Sequence, residues 1–483
     1  TGNPWVWADV GVRDGNIAAV GRLGEATAER EIDAEGLFVM PGIIDIHSHA
    51  NSGFDDDDPR ARATINNLMQ GITTVVIGEN GSAWTSDSNI QEKTEEWSTN
   101  GIGTNAAMLV GLDSIRRQVI DRVDAKPTAE QIIEMRVLAR EAMEGGAFGL
   151  SSALDYWDGH FATTEEIIPL AEEIAPFGGI YMSHMRSEGT RSLWWVESHP
   201  SRRVTQLDAV SEIIEVGRAA DVPVHILHIK STGIPSWGKS HAATALIEEA
   251  RAEGVDVTAN VYPYIASNPD RTTQLFKWQA YLDDSAAELT QTERMSLISE
   301  RMGADPVFAA QIEKDVYHEL LARGGADRMV VTSFSANPAY EGKTLAQLAE
   351  LRQENLYDLG KYLQLDNSAR ILAYTMIEAD IEHYLTRDYI APATDGGAAS
   401  ESTHPRAYGT FPRVLRRYVM EREVITLPFF VRKVTVLPAG ILGLDDRGMI
   451  KEGYRADIMV FDPETIRDRA TFEQNSYAEG VEY

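Results

Sequence analysis

The fold is indicated by one stretch near the start of the chain, Val39-Met40-Pro41-Gly42-Ile43-Ile44-Asp45-Ile46-His47-Ser48-His49. A Pro-Gly turn precedes an isoleucine-rich run, a composition typical of a strand buried on both faces. Residues two apart on a strand share a face, so His47 and His49 are predicted to lie together at its carboxyl end. Two such imidazoles can bind one metal ion. A lone His-x-His pair is more often two unrelated histidines, so the rest of the chain has to decide.

Strands and helices alternate after this stretch, which predicts a parallel sheet. The predicted strands are 73–77, 105–110, 148–151, 179–184, 222–229, 255–262 and 389–394. The predicted helices between them include 60–69, 128–144, 164–175, 206–219 and 242–253. Together with the first strand, these units predict a closed (β/α)8 TIM barrel of the α/β class.

Short strands are predicted at both ends of the chain. They are 10–12, 17–20, 31–33, 37–40, 434–437, 447–450 and 456–461. We predict that residues 1–40 and 430–483 form one small β-sandwich domain and that residues 41–429 form the barrel. The stretch 265–387 is too long for one crossover, so it is predicted to be an insertion. It contains helices at 293–302 and 305–323, a strand at 329–332 and one barrel helix.

Composition excludes several classes of function. Acidic residues outnumber basic ones by 74 to 44, which argues against nucleic acid and anionic membranes as partners. The chain has no cysteine, so disulfides, zinc-thiolate sites and cysteine nucleophiles are excluded. No signal peptide and no membrane-spanning apolar run is recognised, and we expect a cytoplasmic protein. Whether it forms a homo-oligomer is left open.

Metal-ligand side chains stand at the ends of five predicted strands, where barrel active sites form. They are His47, His49, Glu79, His184, His228 and Asp395. Four histidines and two carboxylates suit two divalent ions about 3.5–4 Å apart that share a hydroxide. Zinc is the expected metal, and Glu79 is predicted to bridge the two ions. A supporting role outside the ligand set is the alternative for Glu79.

Three further choices follow from spacing. His225 and His228 lie three apart and therefore face opposite sides of strand six. His228 is nearer the strand end and is chosen as the ligand, whereas His225 is predicted to be packed. A carboxylated lysine at strand four is excluded, because no lysine occurs between Lys126 and Lys230. Asp395 is predicted to bind a metal and to act as general base and acid, with a helix N-cap as the alternative.

Several stretches resemble the amidohydrolase superfamily, and within it the D-aminoacylase (N-acyl-D-amino-acid deacylase) branch. They are 41–49, Gly71-Ile72-Thr73-Thr74-Val75-Val76, Ser183-His184-Met185-Arg186-Ser187-Glu188, Leu227-His228-Ile229-Lys230, Val261-Tyr262-Pro263-Tyr264, His404-Pro405-Arg406, 408–415 and 447–457. The resemblance runs over nearly the whole chain. It implies that a metal-bridging hydroxide attacks the amide of an N-acyl amino acid, expected to be a D-amino acid, while Asp395 passes the proton to the leaving amine.

The resemblance also implies a pocket for the substrate's carboxylate. Lys230 and Tyr156 are the first candidates for it, followed by Arg186 and Tyr264. A cation at Lys230, beside a metal ligand on a strand end, would compensate a buried anion. A surface lysine and a core tyrosine are the alternatives.

Two departures leave the substrate less defined than the chemistry. Glu79-Asn80-Gly81 stands where the branch has Asn-Cys-Gly, so a carboxylate replaces a thiolate. Gly111-Leu112-Asp113 stands where the branch leads us to expect Gly-His. Hydrolysis of another C–N bond, in a cyclic amide, urea, carbamate or amide-linked xenobiotic, is the alternative activity. A non-catalytic barrel scaffold is the alternative of a different class.

Overall fold

Eight parallel strands form a nearly closed barrel in the computed structural model of the chain. The structure describes residues 5–81, 90–193, 204–267, 270–271, 275–282, 286, 289–366, 368–399 and 404–482. Barrel strands one to eight are Ile43–Asp45, Ile72–Ile77, Asn105–Met108 with Val110–Gly111, Gly149–Ala153, Ile180–His184, Val224–Ile226, Val257–Val261 and Ile390–Pro392. Each strand pairs in parallel with the next along the chain. The predicted (β/α)8 barrel is therefore confirmed.

The barrel closes where strand eight meets strand one. Gly396–Gly397 pairs in parallel with Ser48–His49, and the Asp395 amide donates to the His47 carbonyl at 2.9 Å. Thr394 stabilises this junction of strands eight and one, here called the seam, because its hydroxyl donates to the Asp45 carboxylate at 2.5 Å. The closure brings the residues after strand eight alongside the two histidines after strand one.

Helices cover the outside of the barrel. Those between strands are Asn51–Phe54, Pro59–Arg62, Ile65–Leu68, Ile90–Asn100, Leu112–Val119, Ala129–Glu144, Trp157–His160, Thr164–Ile174, Gln206–Ala220, Ser240–Ala252 and Glu378–Leu385. Two of the long ones begin with a capping box, in which Thr128 and Thr205 each exchange hydrogen bonds with the residue three positions on. These hydroxyls define where the helices begin.

Alternate strand residues pack on opposite sides of the barrel wall. Ile44, Val76 and Met182 belong to the inner cluster, whereas their neighbours Val75 and Tyr181 belong to the cluster under the helices. This alternation is the two-residue period expected of strands covered on both faces.

The C-terminal part corrects one prediction. After helix Arg406–Arg413 and the π-helix Val414–Glu421, residues 434–437 fall within helices Leu427–Val434 and Val436–Ile441 and are not a strand. The β-branched run favoured a strand, but Ala439 and neighbouring apolar residues close the inner cluster of the barrel from a helix. Burial in the tertiary structure outweighs local propensity here.

Two small sheets contain the other terminal strands. Phe38–Pro41 pairs antiparallel with Ile458–Phe461, which pairs with Val481–Glu482. Asp9–Arg13 and Asn16–Gly21 form a hairpin whose two turn residues, Asp14 and Gly15, both have positive φ, as a type I′ turn requires. The predicted strands at 31–33 and 447–450 are wrong, since neither segment pairs in a ladder in the structure. The domain boundaries themselves stay a prediction.

The predicted insertion has a hydrophobic core of its own. Helices Gln291–Ala304, Pro306–Ala322, Leu345–Arg352 and Leu356–Asp366 pack with an antiparallel sheet of Asp270–Arg271, Arg370–Ala373 and Met329–Ser333. Its buried centre includes Phe276, Leu320 and Leu363. Helix Glu378–Leu385 returns to the barrel core through Ile381 and Leu385, as predicted for the one barrel helix of this stretch. Among the described residues, no helix is long and apolar enough to cross a membrane.

Candidate metal centre

Side chains from barrel strands one, two, five, six and eight meet at the carboxyl end of the barrel. The ring centroid of His47 lies 5.6 Å from that of His49 and 5.0 Å from that of His228. The ring centroids of His184 and His228 lie 4.4 Å apart. The structure thus brings together all four histidines that the sequence singled out, in one continuous cluster.

The first half-site consists of His47, His49, Glu79 and Asp395. Glu79 Oε1 lies 2.9 Å from His49 Nδ1 and 3.8 Å from His47 Nε2. Asp395 Oδ1 lies 3.1 Å from His49 Nε2 and 3.4 Å from His47 Nε2. Ligand atoms of His47, His49 and Glu79 all lie within 4.8 Å of one another, which is the spacing of a metal-binding group.

The second half-site consists of His184, His228 and Glu188. Glu188 Oε1 lies 3.0 Å from His228 Nδ1 and 3.6 Å from His184 Nε2. The Lys230 ammonium forms an ion pair with the same oxygen at 2.7 Å. Sequence reasoning missed Glu188, although it lies four residues after His184 in a stretch that carried the family resemblance. An acidic residue just past a strand-end histidine was the available signal.

Two of the site residues have strained backbones. His228 has a φ of 32° and Asp395 a φ of 47°, in the left-handed region that non-glycine residues seldom adopt. Such conformations persist where the surrounding structure holds them, and they cluster at functional sites. Strand eight supplies one such constraint, because the Thr394 amide and hydroxyl both donate to the buried Asp45 carboxylate.

Burial and neighbouring charges set the protonation states. Burial holds the pKa of His47 well below its usual range and lowers the pKa of His184 to about 3. Burial would raise the pKa of Asp395, but Arg406 and the histidines outweigh it and hold that pKa well below its usual range. Neutral imidazoles and an ionised carboxylate are the forms that bind metals.

The pKa of His49 shifts in the opposite direction. Burial would lower its pKa, but the carboxylates of Glu79 and Asp395 raise it to about 10. A proton bound this firmly indicates a strongly negative local potential. The first half-site is therefore a place where positive charge is stabilised, which a divalent cation supplies more fully than a proton.

Several buried polar atoms of the cluster have no hydrogen-bond partner within the described part of the chain. They are both ring nitrogens of His47, Glu79 Oε2, Asn80 Oδ1, His184 Nδ1 and Glu188 Oε1, the last of which is ion-paired with Lys230. Buried polar atoms in proteins are nearly always paired, so this concentration needs an explanation. Cations bound among these nitrogen and oxygen atoms would satisfy them, and this donor set suits zinc. The residues present fit a metal centre.

The bridging role of Glu79 stays a prediction. Its contacts are with His47 and His49 of the first half-site. Asp395 is the carboxylate whose ligand atom groups with both His47 and His228. Asn80, at the position of the departure from the family pattern, approaches His49 Nε2 with its amide nitrogen at 3.4 Å.

A cavity of about 520 Å³ opens over the cluster. Its wall includes the predicted residues Lys230 and Tyr156, and the Tyr156 ring lies 4.5 Å from the His184 ring. It also includes Arg406 and Tyr262, which sequence reasoning did not assign to the site. Arg406 Nη1 donates to Asp395 Oδ2 at 2.6 Å. Both residues lie in stretches that resemble the D-aminoacylase branch, and this resemblance was the available signal for them.

Two predicted substrate residues are engaged elsewhere. Arg186 pairs with Glu212 at 2.8 Å and donates to the carbonyls of His160 and Ala162. The Tyr264 hydroxyl donates to the Pro405 carbonyl at 3.3 Å. Neither residue lies on the cavity wall, so the substrate roles suggested for them are not carried forward.

His225 lies between two polar neighbours inside the barrel. Its Nδ1 lies 2.7 Å from the Thr258 hydroxyl, and its Nε2 lies 2.8 Å from the Asn260 amide nitrogen. It occupies a satisfied core position, as the choice of His228 over His225 implied.

Fold and site together define the class, a (β/α)8 protein with a two-part histidine and carboxylate centre at the carboxyl ends of its strands. A model of the amidohydrolase family matches residues 30–343 and 386–483. The chain belongs to this family. Residues 1–29 and 344–385 are unmatched, and the second of these stretches falls within the insertion.

Comparison with individual proteins gives more specific similarities within the family. The chain is 32% identical to a D-aminoacylase of Alcaligenes xylosoxydans xylosoxydans, over 96% of this chain and 86% of that protein. It is similar to a crystal structure of N-acyl-D-glutamate deacylase from Bordetella bronchiseptica with zinc and a phosphonate inhibitor, with 27% identity and a TM-score of 0.78, over 100% of this chain and 92% of that one. A D-aminoacylase structure concerned with a binuclear metal centre gives 31% identity and a TM-score of 0.75, over 100% and 91%.

Proposed function

We propose that the chain is a metal-dependent hydrolase that cleaves the amide bond of N-acyl amino acids, with N-acyl-D-amino acids as its substrates. The observation that carries the proposal is the cluster of histidine and carboxylate atoms, buried and unpaired, at the floor of a cavity with two cations on its wall. Similarity over nearly their whole length to a D-aminoacylase and an N-acyl-D-glutamate deacylase supports the substrate class.

The metal ions would be zinc, two per chain. His47, His49, Glu79 and Asp395 would hold one, and His184 and His228 would hold the other. When bound, such ions lower the pKa of water toward neutrality and polarise an acyl oxygen. Everything else in the reaction falls to side chains of the chain itself.

Asp395 is the residue proposed to move the proton. Its Oδ1 faces His47 and His49, while Arg406 holds its Oδ2 at 2.6 Å, which fixes the carboxylate plane. The same arginine keeps Asp395 ionised, so the carboxylate can accept a proton from the attacking water. It can then donate that proton to the departing amine, which must be protonated to leave.

The part of the cavity wall that carries Lys230 and Arg406 is proposed to bind the substrate's α-carboxylate. The Lys230 ammonium lies 5.1 Å and the Arg406 guanidinium 4.9 Å from the centre of the Tyr262 ring, so the tyrosine stands close to both. The Tyr262 hydroxyl is buried and has no hydrogen-bond partner within the described residues. A carboxylate seated there would receive one hydroxyl donor and two charge-assisted bonds. Tyr156, which is 40% exposed, would cover the bound molecule from the rim.

A panel of substrates tests the proposal. Zinc-loaded protein would be assayed on N-acetyl-D-amino acids, their L enantiomers and cyclic ureides, with metal content measured on the same samples. We expect bound zinc and faster turnover of the D series. Equal turnover of both enantiomers, or preference for cyclic ureides, would contradict the substrate class. Metal-free protein after loading would contradict the metal centre itself.

A further inference from the structure

We propose that Glu188 is a positioning residue, whose carboxylate holds the outer ring nitrogens of His184 and His228 so that their opposite nitrogens face the metal. The inference rests on the metal-dependent part of the proposed function. It assigns Glu188 a role outside the ligand set, although its distance from the two histidines alone would allow it to be a ligand.

One carboxylate oxygen reaches both rings. Glu188 Oε1 lies 3.0 Å from His228 Nδ1, a hydrogen-bond distance, and 3.6 Å from His184 Nε2. The other nitrogen of His184, Nδ1, is buried with no hydrogen-bond partner among the described residues. His228 also groups with His47 and Asp395. Since its Nδ1 faces Glu188, its Nε2 is the atom available to that group.

The chemistry of the carboxylate then fixes the tautomers. An ionised carboxylate only accepts hydrogen bonds, so under this proposal Glu188 favours an N–H on His184 Nε2 and on His228 Nδ1, over the alternative in which His228 Nδ1 accepts from Lys230. A neutral imidazole carries one such hydrogen, which leaves lone pairs at His184 Nδ1 and His228 Nε2. Metal-binding histidines generally donate their second N–H to a carboxylate or carbonyl in this way.

Lys230 argues against Glu188 as a direct ligand. Its ammonium forms an ion pair with the same Oε1 at 2.7 Å and lies 3.2 Å from His228 Nδ1. The ion pair already balances the negative charge of Glu188. A metal ion on Oε1 as well would bring a second cation against the ammonium.

The experiment measures metal binding rather than turnover. Metal-free wild type and Glu188→Gln would be titrated with Zn²⁺ against a chromophoric chelator. Loss of an outer carboxylate of this kind weakens metal binding by about 10–100-fold. We therefore expect one of the two zinc dissociation constants to rise by this factor, with two zinc equivalents still bound at saturation. Asp155→Asn is the matched control, because Asp155 is a buried carboxyl on the same cavity wall whose recorded hydrogen bond is to the Leu193 amide.

A second readout reports the tautomers directly. ¹⁵N-histidine spectra of the zinc-loaded wild type should show His184 protonated at Nε2 and His228 at Nδ1, and Glu188→Gln should disturb both signals. If Glu188→Gln does not fold, Glu188→Asp keeps the charge with a shorter reach and should weaken the same site by a smaller factor.

Two results would overturn the proposal. Unchanged dissociation constants would mean that Glu188 does not position the ligands. Loss of one zinc equivalent at saturation, with a changed coordination number in the visible spectrum of Co²⁺-loaded protein, would make Glu188 a ligand. Neither readout involves a substrate, so the inference can hold even if no N-acyl-D-amino acid is hydrolysed.

Discussion

The two half-sites contain the same kinds of residues but balance their charges differently. In the first half-site, Glu79 contacts two histidines, and no lysine or arginine pairs with it among the residues the structure describes. In the second, Lys230 pairs with Glu188 at 2.7 Å. The carboxylate of the first half-site is thus free to bind a metal, whereas that of the second is already committed to a cation. Similar residues at similar spacing can therefore serve as ligand in one place and as support in another.

This difference predicts unequal affinities. Zinc binding displaces the proton of His49, and with all histidines then neutral the first half-site has two carboxylates, Glu79 and Asp395, against one cation, Arg406. That leaves a net charge of −1 by count. The second has Glu188 against Lys230, a net charge of zero. A divalent cation gains more from the first environment. We therefore expect the first half-site to fill with zinc before the second.

The largest effect is expected from Asp395, whose ligand atom lies within 4.8 Å of those of His47 in the first half-site and His228 in the second. Asp395→Asn removes the proton acceptor while keeping the shape, and general acid–base groups contribute about 10²–10⁴-fold to rate. We expect kcat to fall by this factor while metal content stays near normal, measured by steady-state kinetics and elemental analysis of the same preparation. A variant with full activity would refute the proton-transfer role.

Glu79→Gln should produce the next largest effect and separates the halves most directly. Because Glu79 is a proposed ligand, its loss should weaken the first site by more than the roughly 100-fold upper limit for outer residues. The second site should keep its affinity. Glu188→Gln is the mirror-image control, since it should weaken only the second site. If both variants weakened the same site, the division into two half-sites would be wrong.

The sequence could predict the ligands at strand ends because their positions follow from local pattern. His47 and His49 closely follow buried strand one, His184 ends strand five and Asp395 follows strand eight, so the strand ends fix these side chains relative to the barrel mouth. The (β/α)8 fold followed from the same alternation of strands and helices. These predictions needed only the two-residue period of strands and the rule that parallel strands end together.

Residues positioned by loops and tertiary packing were not predictable in this way. Glu188 lies beyond strand five and returns to His228, and Arg406 starts a helix whose place depends on the seam between strands eight and one. No periodicity links either one to its partner. Local propensity also gave a wrong prediction at 434–437, where a β-branched run spans the junction of two helices that pack against the base of the barrel.

Removing Lys230 should make the second half-site resemble the first. Lys230→Met leaves Glu188 without its cation, so the second site should bind zinc more tightly than in wild type. The substrate's carboxylate would lose one charged partner, worth about 1.5–3 kcal/mol. We therefore expect a fall of roughly 10–100-fold in kcat/KM for N-acyl-D-amino acids. Chelator titration and kinetics on one preparation would check both changes, and weaker zinc binding would contradict the charge argument.

The smallest effect should come from the seam beneath the first half-site. Thr394 donates to Asp45 from its hydroxyl and its amide, and Thr394→Val keeps the amide bond but removes the hydroxyl, which also accepts from the Gly396 amide at 3.0 Å. A lost buried hydrogen bond of this kind costs about 1–3 kcal/mol, measurable in the free energy of unfolding of metal-free protein. The added consequence should be weaker zinc binding at the first half-site alone, because the seam positions Asp395 and His47 but no residue of the second half-site.

Thr258→Val provides the control for that change. Thr258 is a buried threonine on barrel strand seven, and its hydroxyl lies 2.7 Å from His225, which is outside the proposed ligand set. Its loss should cost a similar free energy of unfolding and leave both zinc dissociation constants unchanged. If Thr394→Val behaved in the same way, the seam would stabilise the barrel without shaping the first half-site. The first half-site takes ligands from both sides of this seam. Weaker zinc binding at that half-site alone in Thr394→Val would therefore show that barrel closure and the metal centre are linked.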